Sequence, residues 1–237
     1  MAANKVALIL GAGPRIGISV AKKFATKGYK VAIVSRSGNA GSANAAVPTE
    51  GLLSLKADFT QPDTIPALFD AVKKEFEAPP SVIVYNAGAR TAPPIENDLF
   101  SNPAENLESD FNVNVLSPYV AAQQAVRGWE TLPKELQKTF IYTGNVMNTV
   151  ILPVAAAVNL GMGKAASSYW IGLADTVYRN HGYRFFYANE RNSDGMMKGM
   201  ALDGDAHADF YAFLAEHGGE VPWHATFVKE KGYVEFN

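Results

Sequence analysis

Three glycines, Gly11, Gly13 and Gly17 in "GAGPRIG", stand between an apolar run and a helical pattern. At such a turn backbone N–H groups and a helix N-terminus converge on a phosphate, and a side chain would hold the ligand off the backbone. Arg15 and Ile16 lie inside the turn, and Arg15 is a further candidate phosphate contact. Gly-rich strand-to-helix turns also arise for packing alone, so context decides. About twenty residues on, a second apolar run ends in Ser35 and Arg36, the place where an acidic residue would select the ribose hydroxyls of NAD. An arginine there suits the extra 2′-phosphate of NADP(H); a solvated loop arginine is the alternative. Asp58 and Phe59 in "ADF", and Asn86, Ala87 and Gly88 in "NAG", close two more runs. Asp58 and the backbone at Phe59 are candidates to meet an adenine edge. Lys164 follows two glycines in "NLGMGK", at the mouth of a helical pattern.

The elements that must position these residues alternate. Buried-strand runs are predicted at 5–10, 30–35, 51–57, 81–88, 139–144 and 183–189, with a last strand near 225–229. Helices are predicted from Ile16 to a cap at Gly28, and over 62–76, 118–129, 164–180 and 205–218, the last entered through Asp205. Strands alternating with helices imply βαβ crossovers and a Rossmann-like, doubly wound parallel sheet with helices on both faces. No repeat or linker divides the chain, so residues 1–237 are expected to form a single NADP(H)-binding domain. The segment 37–48, rich in Gly, Ala, Ser and Asn, is expected to be a mobile loop.

Composition narrows the partners. The chain has 237 residues, 48% hydrophobic, and a formal charge of −2, which gives no broad attraction to nucleic acid or to an acidic membrane surface. A small molecule is the expected ligand. With no cysteine there is neither a disulfide nor a thiolate nucleophile or metal ligand, and no apolar run reaches the roughly 18 residues of a membrane helix. A cytoplasmic protein without a secretory signal is expected. Histidines at 181, 207, 217 and 224 form no metal-binding pair motif, and no nucleophile elbow occurs, so no metal site or hydrolase triad is expected. "GMGK" lacks the first glycine and the hydroxyl of a phosphate-binding nucleotide loop.

Taken together the glycine turn, "SR", "ADF", "NAG", "NVNV" and a later helical lysine resemble the short-chain dehydrogenase/reductase family over roughly residues 5–190. By that resemblance Asn114 matches the asparagine that helps hold a water beside the active-site lysine. Lys164 matches the lysine that binds the nicotinamide ribose and lowers the pKa of a tyrosine four residues before it. That position is Leu160 here, and the family's serine falls on Asn145, or else on Gly144. Leucine has no proton to give, and losing a positioned general acid typically costs about 10² to 10⁴ in rate. Asn145 keeps a donor able to stabilise an oxyanion, or it caps a turn.

Hydride transfer to or from an activated carbonyl, enone or iminium is therefore the expected chemistry, with NADP(H) as cofactor and Asn114, Asn145 and Lys164 as the catalytic set. A rearrangement, a cyclisation or silent NADP(H) binding on the same scaffold is the alternative. Tyr142, Tyr169 and Tyr187 are expected to be packing residues. Glu190, Arg191 and Asp194 in "ANERNSDG" replace the family's Pro-Gly continuation and are placed at the pocket rim. Trp170, Leu173, Ala174 and Val177 form an apolar stripe expected to be core. The resemblance also implies a homodimer or homotetramer built on this helix and the 118–129 helix.

Overall fold

Short runs of branched apolar residues hide both faces only inside a parallel sheet covered on each side. The computed structural model, which describes residues 4–38 and 51–236, places them there. The strands are β1 (Val6–Leu10), β2 (Lys30–Ser35), β3 (Leu52–Lys56), β4 (Val82–Tyr85), β5 (Lys138–Thr143), β6 (Tyr183–Glu190), β7 (His224–Val228) and β8 (Gly232–Tyr233). Their order in the sheet is β3-β2-β1-β4-β5-β6-β7-β8, and only the β7–β8 pair is antiparallel. The chain winds outward from β1 through β2 to β3, then returns to β1's other side at β4. That reversal opens a crevice beyond the C-terminal ends of β1 and β4, the place where doubly wound sheets take ligands.

Helices cover both faces. On one, α1 (Gly17–Thr26) and α6 (Gly204–His217) close a core that includes Ile9, Val20, Phe24, Phe186, Tyr211 and Phe227. On the other, α2 (Ile65–Phe76), α4 (Ser117–Trp129) and α5 (Val158–Tyr178) close a core around Leu8, Tyr85, Trp129, Tyr142 and Phe185. A further helix, α3 (Ala104–Phe111), runs through a turn of π-helix at Asn112–Leu116 into α4.

Several sequence expectations need correction. Helix α3 is absent from the sequence expectations because it has little apolar surface to bury, Asp110 being its only buried residue. Helix α5 begins at Val158, so Gly161 and Gly163 lie within it rather than at its mouth. A Cβ on Gly163 would lie 2.6 Å from the Cβ of Asn114, so this glycine lets α5 cross close over Asn114. Helix α6 is capped by Asp203, not Asp205: its carboxylate accepts from the N–H groups of Asp205 and Ala206. The stripe on α5 is core only in part: Trp170 and Ala174 pack against the interior, whereas Leu173 is 54% and Val177 55% exposed. Of the loop expected over 37–48, residues 39–48 lie outside the described residues.

Candidate functional site

The three glycines of the first turn do three different things. Gly11 adopts φ +100°, and a Cβ there would lie 2.5 Å from the Ala87 nitrogen, so it lets β1 and the end of β4 close on each other. Gly17 packs the start of α1 against the turn, 2.5 Å from the Gly11 carbonyl if it carried a Cβ. At Gly13 alone a Cβ would meet nothing within 4 Å, and this residue faces the cleft. Gly11 and Gly13 both border the larger hollow, whereas Gly17 lines neither hollow and serves the packing of the turn. Helix α1 has no side-chain cap, and in its first turn the Ile18 N–H donates to the Gly13 carbonyl at 3.1 Å.

Two adjoining hollows, of about 900 and 590 Å³, run along the sheet edge and share Gly13, Pro14 and residues 86–90. The larger is lined by Gly11, Ser35, Arg36, Asp58 and Phe59 as well. Arg36 is exposed there. Asp58 accepts from the Thr60 N–H, which holds its carboxyl below the ordinary range, with Arg36 adding to the effect. The Phe59 ring turns away into the core, edge-on to Tyr85. Asn86 donates to the Gly11 carbonyl at 2.9 Å, tying the two turns together. The smaller hollow is lined by Arg15, Ile16, Asn145, Leu160 and Lys164. Gly17 and Asn114 line neither; they support the walls.

Asn114 is fully buried, and its amide clamps Ala89 through both backbone groups, accepting from the N–H at 3.0 Å and donating to the carbonyl at 2.9 Å. Its own carbonyl accepts from Tyr142 Oη and Ser167 Oγ. One turn earlier, Asp110 accepts from the Thr91 N–H at 2.7 Å, the Thr91 hydroxyl at 3.0 Å and the Asn159 amide at 3.0 Å. The loop after β4 is therefore fixed twice, and to the first turn of α5. Asp110 escaped the sequence reading; its i, i+4 spacing to Asn114 was the available signal, once a helix is granted there.

Lys164 is 6% exposed. Its Nζ donates to the Thr143 carbonyl at 2.8 Å and lies 4.3 Å from the centroid of the Tyr142 ring. Neither partner carries a countercharge, so the hydrogen bond and the aromatic face offset only part of the lost hydration, and burial pushes the ammonium down to about 7.

At the end of β5, Gly144 admits the Tyr187 ring, which a Cβ would meet at 2.2 Å. Tyr187 Oη accepts from the Asn145 N–H at 3.0 Å and donates to its carbonyl at 2.9 Å. The Asn145 side chain caps the next turn by accepting from the Met147 N–H at 2.9 Å, which assigns Oδ1 to the cap and leaves the NH₂ as the donor available to the hollow. Tyr142 and Tyr187 are fully buried and stack on each other, and Tyr169 is 76% exposed; none lines the hollow.

The charges of "ANERN" take different places: Glu190 lines the smaller hollow, whereas Arg191 and Asp194 line neither hollow. Glu190 and Arg191 are buried because β6 continues through Glu190 and pairs with β7. Glu190 Oε2 accepts from the Asp203 N–H at 2.9 Å, with His207 Nδ1 at 3.4 Å and Lys198 Nζ 3.4 Å from Oε1. Burial pushes the His207 imidazole down. Arg191 donates to the Gly195 carbonyl and so shapes its own turn. Only Asp194 is exposed. Among the described residues no cluster of His, Asp or Glu is placed to hold a metal ion, and no helix is long and apolar enough to cross a membrane.

A crevice at the sheet's reversal, entered by a glycine turn, defines the class of nucleotide-binding doubly wound proteins. The family description "short chain dehydrogenase" matches residues 5–141. A short chain dehydrogenase/reductase of Cryptosporiopsis sp. (strain 8999) is 37% identical over 98% of this chain and 95% of its own. The chain belongs to the short-chain dehydrogenase/reductase family. It is also similar to (+)-borneol dehydrogenase 1 of Salvia officinalis, at 26% identity over 85% of this chain and 74% of the relative. In fold it is similar to a short chain dehydrogenase from Burkholderia cenocepacia, solved in complex with NADP, with a TM-score of 0.76 and 23% identity over 96% of this chain and 97% of the other.

Proposed function

We propose that this chain is an NADP(H)-dependent oxidoreductase acting on a small, activated organic molecule. The observation that carries the reading is the continuous cleft from Arg36 to Lys164, with an open Gly13 and a helix N-terminus without a side-chain cap between them. A dinucleotide fits this lining. The turn from Gly11 to Gly17 would take the pyrophosphate, Arg15 beside it, Ser35 and Arg36 the 2′-phosphate end, Asp58 and the Phe59 backbone the adenine, and residues 86–88 the ribose side. Lys164 would hold the nicotinamide ribose, with Asn114 behind it. The bound cofactor supplies a hydride. The chain's own part is to orient the acceptor against an apolar wall of Met147, Leu152, Leu160 and Met197, and to polarise it through the Asn145 NH₂.

On this reading the protein is a divergent member, with Leu160 in the place of the family's tyrosine and Asn145 in that of its serine. An enone or iminium, or a carbonyl protonated by water, suits such a site. The same leucine favours a second reading, a rearrangement or silent cofactor binding. The apolar face of α4 and α5, where Tyr119, Leu173 and Val177 are exposed beside the half-buried Trp170, supports a homodimer or homotetramer.

Calorimetric titration with NADPH and NADH tests the proposal. NADPH should bind more tightly than NADH, and Arg36→Ala should remove most of that preference, worth about 10-fold or more for a charge-assisted phosphate contact. Absence of binding by either dinucleotide would sink the oxidoreductase reading. Binding without turnover across carbonyls, enones and iminiums would leave the second one.

A further inference from the structure

Lys164 is a primary amine set in a pocket wall with only neutral partners. Its Nζ touches a backbone carbonyl and an aromatic face, and no carboxylate pairs with it among the described residues. Leu160 stands one turn before it in the same wall, where no hydroxyl competes for the amine. Met147, Leu152 and Met197 add apolar surface to the hollow, whose lining also holds Asn189 and the paired Glu190 and Lys198, and the Asn145 NH₂ is one donor there. A lysine in water is an ammonium without a lone pair. A lysine buried without a countercharge spends part of its time as the neutral amine, and one N–H donated to a carbonyl leaves the lone pair of that amine free.

We infer that Lys164 is a carbonyl-reactive amine, forming a reversible imine with an aldehyde or unhindered ketone that enters this pocket. The Nζ lone pair attacks the carbonyl carbon while the C=O pair moves onto oxygen, which the Asn145 NH₂ stabilises. Nζ loses one proton as the neutral carbinolamine forms. It loses the second as the hydroxyl departs as water, leaving C=N. Amine and carbonyl give imine and water, with no change of oxidation state. The inference does not depend on the cofactor reading, but the two compete for one amine.

The test is reductive trapping on the cofactor-free full chain, with propanal and sodium cyanoborohydride at pH 7, followed by peptide mapping. A free lysine side chain, with a pKa near 10.4, is neutral only about once in 2,500 molecules at that pH, and Lys164, pushed down to about 7, is neutral about half the time. On protonation alone Lys164 should label about 10³-fold faster than a surface lysine, with the α-amine of the expressed chain as the one other early site. A single early internal adduct at Lys164, lost in Lys164→Arg, supports the inference. Labelling of the α-amine and surface lysines while Lys164 stays unmodified overturns it. Repeating the reaction with saturating NADPH separates the two readings. Protection of Lys164 supports both. Undiminished labelling keeps the reactive amine and counts against the cofactor's place beside it.

Discussion

Two glycines two positions apart in α5 should respond to alanine with opposite signs. At Gly161 a Cβ meets nothing within 4 Å beyond its own helix, so Gly161→Ala gains helix propensity alone, about 0.5–1 kcal/mol. At Gly163 the same gain is offered, but the new Cβ lies 2.6 Å from Asn114 Cβ and 3.3 Å from its Cγ and Nδ2. Ordinary contact begins at 3.4 Å, so helix and asparagine must separate by about 1 Å. Overpacking of this kind costs about 1–3 kcal/mol. Because Asn114 is fully buried and holds Ala89 at 3.0 and 2.9 Å, moving it also strands amide groups, at about 1–3 kcal/mol. After the propensity gain the net loss is about 1–5 kcal/mol, centred near 3. Urea unfolding followed by tryptophan fluorescence reads both variants, and a melting temperature about 6–12 °C lower is the thermal equivalent for Gly163→Ala. A Gly163→Ala protein as stable as the parent would refute the claim that this glycine exists for the helix crossing.

Other outcomes follow from the same interior. Lys164 has a folded-state pKa near 7 against about 10.4 unfolded, so below pH 7 only the unfolded state carries the charge without penalty, and stability rises as pH climbs from about 7 to 10. Lys164→Met should therefore stabilise at pH 6 by on the order of 4 kcal/mol and far less at pH 10; equal effects at both, by denaturant titration, would contradict the burial argument. Asp110→Ala leaves the Thr91 N–H and the Asn159 amide without their acceptor and should cost about 3 kcal/mol, together with weaker dinucleotide binding by calorimetry. Leu160→Tyr should confer reduction of simple ketones by about 10² or more over the parent, measured by NADPH absorbance; no gain would place the obstacle in pocket shape rather than in the missing proton.

Where function and burial agree, the sequence was legible. Apolar runs before "GAGPRIG", "SRS" and "NAG" announced β1, β2 and β4, because a strand buried on both faces must be continuously apolar. The grouping of Arg36, Asp58 and residues 86–88 along one sheet edge followed from that alternation. Two things were hidden. Asp110 and the π-turn under Asn114 are stabilised by polar bonds to a distant loop, which leave no periodic trace. Glu190 and Arg191 look like rim charges in sequence and are buried because β6 pairs with β7 there, a tertiary fact no local pattern carries. Half of the stripe on α5 misled in the opposite direction: Trp170 and Ala174 pack on the core, but Leu173 and Val177 are exposed, since apolar spacing does not say what covers it.

The glycine turn near the start of the chain is closed by the last third of it. Gly204, at the head of α6, sits where a Cβ would come within 2.1 Å of the Arg15 carbonyl, and Arg15 Nη1 donates to the Met200 carbonyl at 3.3 Å. Lys23 and Lys27 of α1 pair with Asp209 and Glu216 of α6, and Tyr211 reaches the Thr143 hydroxyl. Contacts of such sequence separation form late in folding, because the intervening chain must be ordered first. During synthesis, then, the turn and the buried face of α1 emerge long before their partner. Residues 5–141 carry the family's signature but leave that helix face bare. The nascent chain must keep an apolar surface waiting until α6 has cleared the ribosome, and a chain cut short before Gly204 would be left with that surface for aggregation or a chaperone to claim.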